Sequence, residues 1–158
     1  TSPRRTVLAA GALLAGTLAA GSGCSLPGFG DEPEVIPPAD SDALRAVAGE
    51  SLDLAGRYDR AIAQVPDQSA KLTAIRDAHR EHAAAISLTL DQSVAPSAAP
   101  SPSGSGTGGS GGVLKNLQTA ERAAAERAAT ACMAVASYYA PLLGTIAAGR
   151  ASHAEALA

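Results

Sequence analysis

Residues 72–89 read LTAIRDAHREHAAAISLT. Leu72, Ile75, His79, His82, Ile86 and Thr89 recur at spacings of three and four, which places them on one face of an α-helix. No alternation of period two competes with that pattern. Two imidazoles interrupt the otherwise apolar stripe. The segment is therefore a helix that aims polar side chains where a core should lie.

The same spacing extends outward in both directions. Leu44, Val47, Ser51, Leu54, Tyr58, Ala61 and Val65 form a stripe before it. Asp40, Ser41 and Asp42 can cap that helix, and Pro66 interrupts its end. Asp67 can cap the helix of the two histidines. Beyond it, Leu114, Leu117, Glu121, Ala124, Ala128, Ala131, Val135 and Tyr138 give a third stripe. Leu143, Ile146, Arg150, His153 and Leu157 give a fourth, with Pro141 suited to its first turn. The expected helices cover about 41–64, 68–91, 114–139 and 142–157, an all-α class.

Residues 93–112 hold only Ser, Gly, Pro and Ala apart from Val94 and Thr107, the composition of a flexible linker. Short loops make each helix pair an antiparallel hairpin. The linker is long enough to let the third helix begin at either end of the second, and its length favours a full crossover.

Buried charges are costly unless they are paired or hold a metal. His79 and His82, and likewise Arg150 and His153, stand three apart on one helical face, a spacing at which two ligating side chains can grip one ion. Glu121 interrupts the third stripe, and Glu50 lies at the edge of the first. Two readings follow. Glu50, His79, His82, Glu121 and His153 are candidate metal ligands. Alternatively, Glu121 pairs with Arg150, and the histidines form a polar layer that fixes helix register.

The N-terminus carries a different signal. Arg4 and Arg5 precede an uncharged apolar run from Val7 to Ala20, and Gly21, Ser22 and Gly23 lead into Cys24. This is the layout of an export signal with a small-residue cleavage site. The run would make roughly 21 Å of helix, short of the ~30 Å hydrocarbon core. A cysteine at the cleavage point changes the expectation to lipid anchoring on the outer face of the cytoplasmic membrane, residues 1–23 being the signal peptide and Cys24 the lipid-bearing residue. The alternative is a plain secretory peptide with an incidental cysteine. Arg4-Arg5-Thr6-Val7-Leu8 also resembles a twin-arginine export signal. Residues 24–39 read as a tether, with four prolines and two glycines between Leu26 and Pro38.

Cleavage before Cys24 leaves 10 basic and 15 acidic residues, a net charge of −5, with no basic patch for nucleic acid. Cys132 would then be a lone thiol, best read as packing. No nucleophile elbow, Walker loop or HExxH helix occurs.

Residues 120–127 (AERAAAER) with Thr130-Ala131-Cys132, and 142–148 (LLGTIAA) with Ala151-Ser152-His153, resemble the ferritin-like domain of unknown function found in actinobacterial lipoproteins. The resemblance extends to 54–59 (LAGRYD) and 79–82 (HREH) and covers the four helices. It implies a ferritin-like four-helix bundle, in which Glu50, His82, Glu121 and His153 fall where di-iron ligands would lie. His79 and Arg150 stand where the glutamates of the two Glu-x-x-His pairs belong. A guanidinium cannot ligate a metal and repels one. A di-iron oxidase is thereby disfavoured, whereas a single zinc or copper ion on His79, His82 and Glu121 remains compatible. The leading functional expectation is a non-enzymatic, membrane-anchored envelope module without a cofactor. Its partners would be the membrane, through the lipid, and an envelope protein. The alternative is a protein that handles iron, zinc or copper, or defends against oxidative stress, through one bound ion.

Overall fold

The computed structural model describes residues 35–97 and 109–158. The expected signal peptide, Cys24, the tether up to residue 34, and residues 98–108 of the expected linker lie outside the described residues. Four helices account for most of what is described: α1 (Pro38–Gln64), α2 (Ser69–Leu90), α3 (Ser110–Ala134) and α4 (Ala140–Ala156). A single 3₁₀ turn, Pro66–Gln68, joins α1 to α2. No strand occurs among the described residues, so the class is all-α.

The helix ends differ from the expected ones for identifiable reasons. Helix α1 starts at Pro38, with Pro37 as the residue before it and no side-chain cap. Proline suits the first helical position because its fixed φ matches and no N–H is left unpaired. Asp40, Ser41 and Asp42 therefore lie inside the helix. Asp40 is buried and accepts the backbone N–H of Ala136 at 3.3 Å, tying α1 to the connection after α3. Asp67 likewise caps nothing: it lies in the 3₁₀ turn, and Gln68 precedes α2 without a cap bond.

Helix α3 begins within the expected linker, at Ser110, because Val113 and Leu114 pack onto the apolar cluster at that end. It ends at Ala134, not near Tyr139. Val135 is extended (φ −87°, ψ 163°), and a turn follows before α4. The break shifts the register by one residue, so Tyr139 enters the core at 5% exposure while Tyr138 stands out at 74%.

Two apolar clusters lie at opposite ends of the helices. One joins Leu44 and Val47 of α1, Ile86 and Leu90 of α2, Ala128 of α3, and Leu143 and Ile146 of α4. The other joins Tyr58, Ala61 and Val65 with Leu72, Ile75, Leu117 and Leu157. Reading residue numbers from the first cluster to the second, α1 and α4 run one way and α2 and α3 the other. Residues 91–109 thus connect opposite ends of the helices. The start of this connection lies across α1, where the Ser97 N–H donates to the Gly49 carbonyl at 3.2 Å. A Cβ on Gly49 would stand 3.1 Å from Ser97 N and 3.2 Å from Ala95 O, so only glycine allows this approach without adjustment.

Gly49→Ala is expected to lift the 95–97 segment off α1. Alanine gains about 1 kcal/mol of helix propensity, which offsets the lost contact, so global stability should stay within about 1 kcal/mol. Proteolysis after Gln92 should accelerate. Unchanged cleavage kinetics would show that the segment accommodates the methyl group.

Candidate metal centre

Between the two apolar clusters lies a layer of polar side chains, one or more from each helix. Glu121 of α3 is fully buried, and three groups approach a single oxygen of its carboxylate. Tyr58 Oη of α1 donates to Oε1 at 2.7 Å, His79 Nε2 of α2 lies 2.6 Å from it, and His153 Nδ1 of α4 lies 3.6 Å from it. Tyr58 and His79 are themselves fully buried, and the His153 side chain is 16% exposed. The rings pack together, with centroids 5.5 Å apart for Tyr58–His79 and 5.1 Å for His79–His153.

The electrostatics follow from this packing. Burial pushes the Glu121 carboxyl up, but the contacts from His153, His79 and Tyr58 outweigh it and hold the group down at about 2. Burial, opposed by Glu121, lowers the pKa of His79. Burial first, and then the neighbouring His79 and Arg150, bring His82 down to about 4. Burial, reinforced by the Glu121 charge, raises the Tyr58 phenol, which stays protonated. At neutral pH an ionised Glu121 is therefore met by a neutral His79 imidazole and a protonated Tyr58 phenol. Glu121 accepts at Oε1, so His79 carries its proton on Nε2.

One donor atom each from His79, Glu121 and His153 falls within a mutual distance of 4.8 Å. Among the described residues, Glu121 Oε2, His79 Nδ1, His82 Nδ1 and His153 Nδ1 are buried without a hydrogen-bond partner. Buried polar atoms left unsatisfied cost roughly 1–3 kcal/mol each and call for an explanation. Two imidazoles and a carboxylate with spare lone pairs match the donor set of a mononuclear transition-metal site.

The sequence-derived candidates divide at this point. His79, Glu121 and His153 come together. His82 stacks beside His153 with centroids 6.3 Å apart and lies against Gly149, outside that triad. Glu50 is elsewhere: Arg150 Nη1 donates to its Oε2 at 2.7 Å, Arg127 Nε donates to its Oε1 at 2.7 Å, and both guanidinium groups pair with it.

The expected Glu121–Arg150 pair is thus replaced by Glu50–Arg150. Arg150 is fully buried and also donates to the carbonyls of Ala124 (2.9 Å) and Val47 (3.0 Å) and to Ser51 Oγ (2.8 Å). The carbonyls of Val47 and Ala124 and the Ser51 hydroxyl, which spacing cannot reveal, hold the guanidinium between α1 and α3. Tyr58 joins the site from a position whose spacing marks it only as core. Its hydroxyl, on a stripe position facing Glu121, was the available signal.

Comparisons with protein-family models, curated proteins and solved structures found no match.

Two predictions follow from the geometry. Arg150→Met should destabilise the protein by about 1–3 kcal/mol, because the half-buried Glu50 keeps only Arg127 and the buried carbonyls of Val47 and Ala124 lose their donor. A double-mutant cycle with Glu50→Gln should show coupling of about 1–3 kcal/mol, well above that between Arg150 and Glu121. Equal couplings in urea unfolding would contradict the pairing. The second prediction concerns pH. A histidine whose folded pKa lies below its unfolded value of 6.5 binds its proton more readily when unfolded. Stability of the metal-free protein should therefore fall as pH drops from about 6.5 toward 4, and the Glu121 contribution should be lost from about 4.5 toward 2. His82→Gln should flatten the upper part of that profile, as read by thermal unfolding. A flat wild-type profile above pH 5 would sink the assignment of buried neutral imidazoles.

Proposed function

We propose that the protein is a lipid-anchored envelope module, non-enzymatic, in which a four-helix bundle of ferritin-like topology holds one transition-metal ion on His79, Glu121 and His153. The observation that carries this reading is the convergence of one donor atom from each of those three residues within 4.8 Å, beside the unpartnered Glu121 Oε2 and His153 Nδ1, in the polar layer between the two apolar clusters. The anchor rests on Arg4-Arg5, the apolar run and Cys24. The ferritin-like topology is supported by helix directions that pair α1 with α4 against α2 and α3.

A single ion fits better than two. The guanidinium of Arg150, already positive, stands beside the layer, and Glu50 is engaged by two arginines. Releasing Glu50 to a second ion would strand a buried guanidinium, which costs several kcal/mol. Mixed imidazole and carboxylate donors suit zinc, copper(II) or iron(II). Donors this deeply buried favour holding an ion over turning over a substrate. Ligation through Nε2 would move the His79 proton to Nδ1 of the same ring, which has no other partner, so a neutral imidazole releases no proton on binding.

Elemental analysis of the full chain, loaded with zinc, copper or iron and then desalted, tests the proposal. About one equivalent is expected, reduced at least tenfold by His79→Ala, Glu121→Gln or His153→Ala, and retained in Glu50→Gln. Circular dichroism on each variant separates ligand loss from unfolding. Wild-type protein that retains no metal under any loading would defeat the reading, and loss in Glu50→Gln alone would relocate the ion.

A further inference from the structure

The large apolar side chains that stand most exposed among the described residues are Val35, Leu88, Met133 and Tyr138, at 74–86%. They come from four different places in the chain and share one place in the fold. Val35 precedes α1, Leu88 is in the last turn of α2, Met133 is in the last turn of α3, and Tyr138 lies in the turn before α4. Each lies within about one helical turn of the same end of the helices. The opposite end, with the turn Pro66–Gln68 and the close of α4, carries none of the four.

That end is also where the N-terminal segment enters. Cys24 and Val35 are 11 residues apart (35 minus 24), which spans at most about 40 Å when fully extended. An anchor on Cys24 therefore joins the bilayer surface to this end of the helices. Apolar side chains displayed together mark an interaction surface, and a tyrosine at the rim suits the boundary between water and lipid. Val35 and Tyr138 line a groove of about 520 Å³ together with Ile36, Leu90 and Tyr139. The charges nearby do not suit an anionic surface. Asp42 and Asp91 are exposed, and Arg45 is engaged by Asp42 at 3.2 Å.

We propose that the end of the protein bearing Val35, Leu88, Met133 and Tyr138 rests on the membrane, its apolar side chains entering the interfacial layer of a bilayer without need of anionic lipid. The inference builds on the lipid anchor. It sets the long axis of the helices away from the membrane and places the metal centre above the surface, behind one apolar cluster.

The chain contains no tryptophan, which permits a clean test. Tyr138→Trp and, as a far-end reporter, Asp67→Trp are made in the full chain, produced in a lipid-modifying host and mixed with phosphatidylcholine vesicles containing brominated acyl chains. Mass spectrometry reads the lipid on Cys24 separately, so failure of the anchor is not confused with failure of the orientation. The expected result is a blue shift and at least twofold quenching at position 138, none at 67, and no gain from added phosphatidylglycerol. Leu88→Glu with Met133→Glu, both at exposed sites, should abolish the quenching and leave the fold intact by circular dichroism. Equal quenching at both positions, or none at 138, overturns the proposal. Blue-shifted emission at 138 without vesicles, scaling with protein concentration, overturns it in favour of a second copy on this surface.

Discussion

A negative charge placed in the interior sets the terms for the rest of the molecule. Leaving the Glu121 carboxylate unpaired there would cost several kcal/mol, and the remedy draws on every helix. Tyr58 comes from α1, His79 from α2 and His153 from α4, all aimed at one oxygen carried by α3. Apolar contacts tolerate sliding, because one methyl group serves nearly as well as another. Hydrogen bonds do not, and a helix displaced by one residue moves its donors by about 1.5 Å. The polar layer thereby fixes the stagger of four helices whose alanine-rich faces would specify it weakly.

A second node in the same layer has its own hydrogen-bond partners. Arg150 is balanced by Glu50, and Glu50 in turn is shared with Arg127 at the surface. One node is thus a carboxylate that accepts from Tyr58 and His79, and the other is a guanidinium paired with its own acid. This division lets an arginine lie inside the protein close to a group of metal-type donors. Its field is answered by its own acid, although enough persists to help depress His82.

The inward faces were legible because periodicity reports burial directly. All seven residues of the first stripe, from Leu44 to Val65, are buried, and so are Leu143, Ile146, Arg150 and Leu157 of the fourth. Partnership was harder to read. Spacing put Arg150 inside but could not choose between Glu50 and Glu121, since that choice depends on backbone carbonyls of α1 and α3 that belong to no sequence pattern. The helix caps failed for a similar reason. Asp40 has the chemistry of a cap, yet its carboxylate is used across the fold by Ala136, and the helix starts on prolines instead. At the end of α3 the stripe continued on paper through Tyr138, while the chain breaks at Val135 to bury Tyr139.

The connection between opposite ends of the helices has a further consequence. Its 19 residues between Leu90 and Ser110 divide the chain into two hairpins, and the polar layer is divided with them. Tyr58 and His79 belong to the first half, and Glu121 and His153 to the second. Neither half can satisfy its own interior, so each is a poor fold alone and a specific match for the other. A tether of this length holds the halves at an effective concentration in the millimolar range. Cutting it should leave two fragments that recombine, and two intact chains held close together on one surface could exchange halves to form a swapped dimer.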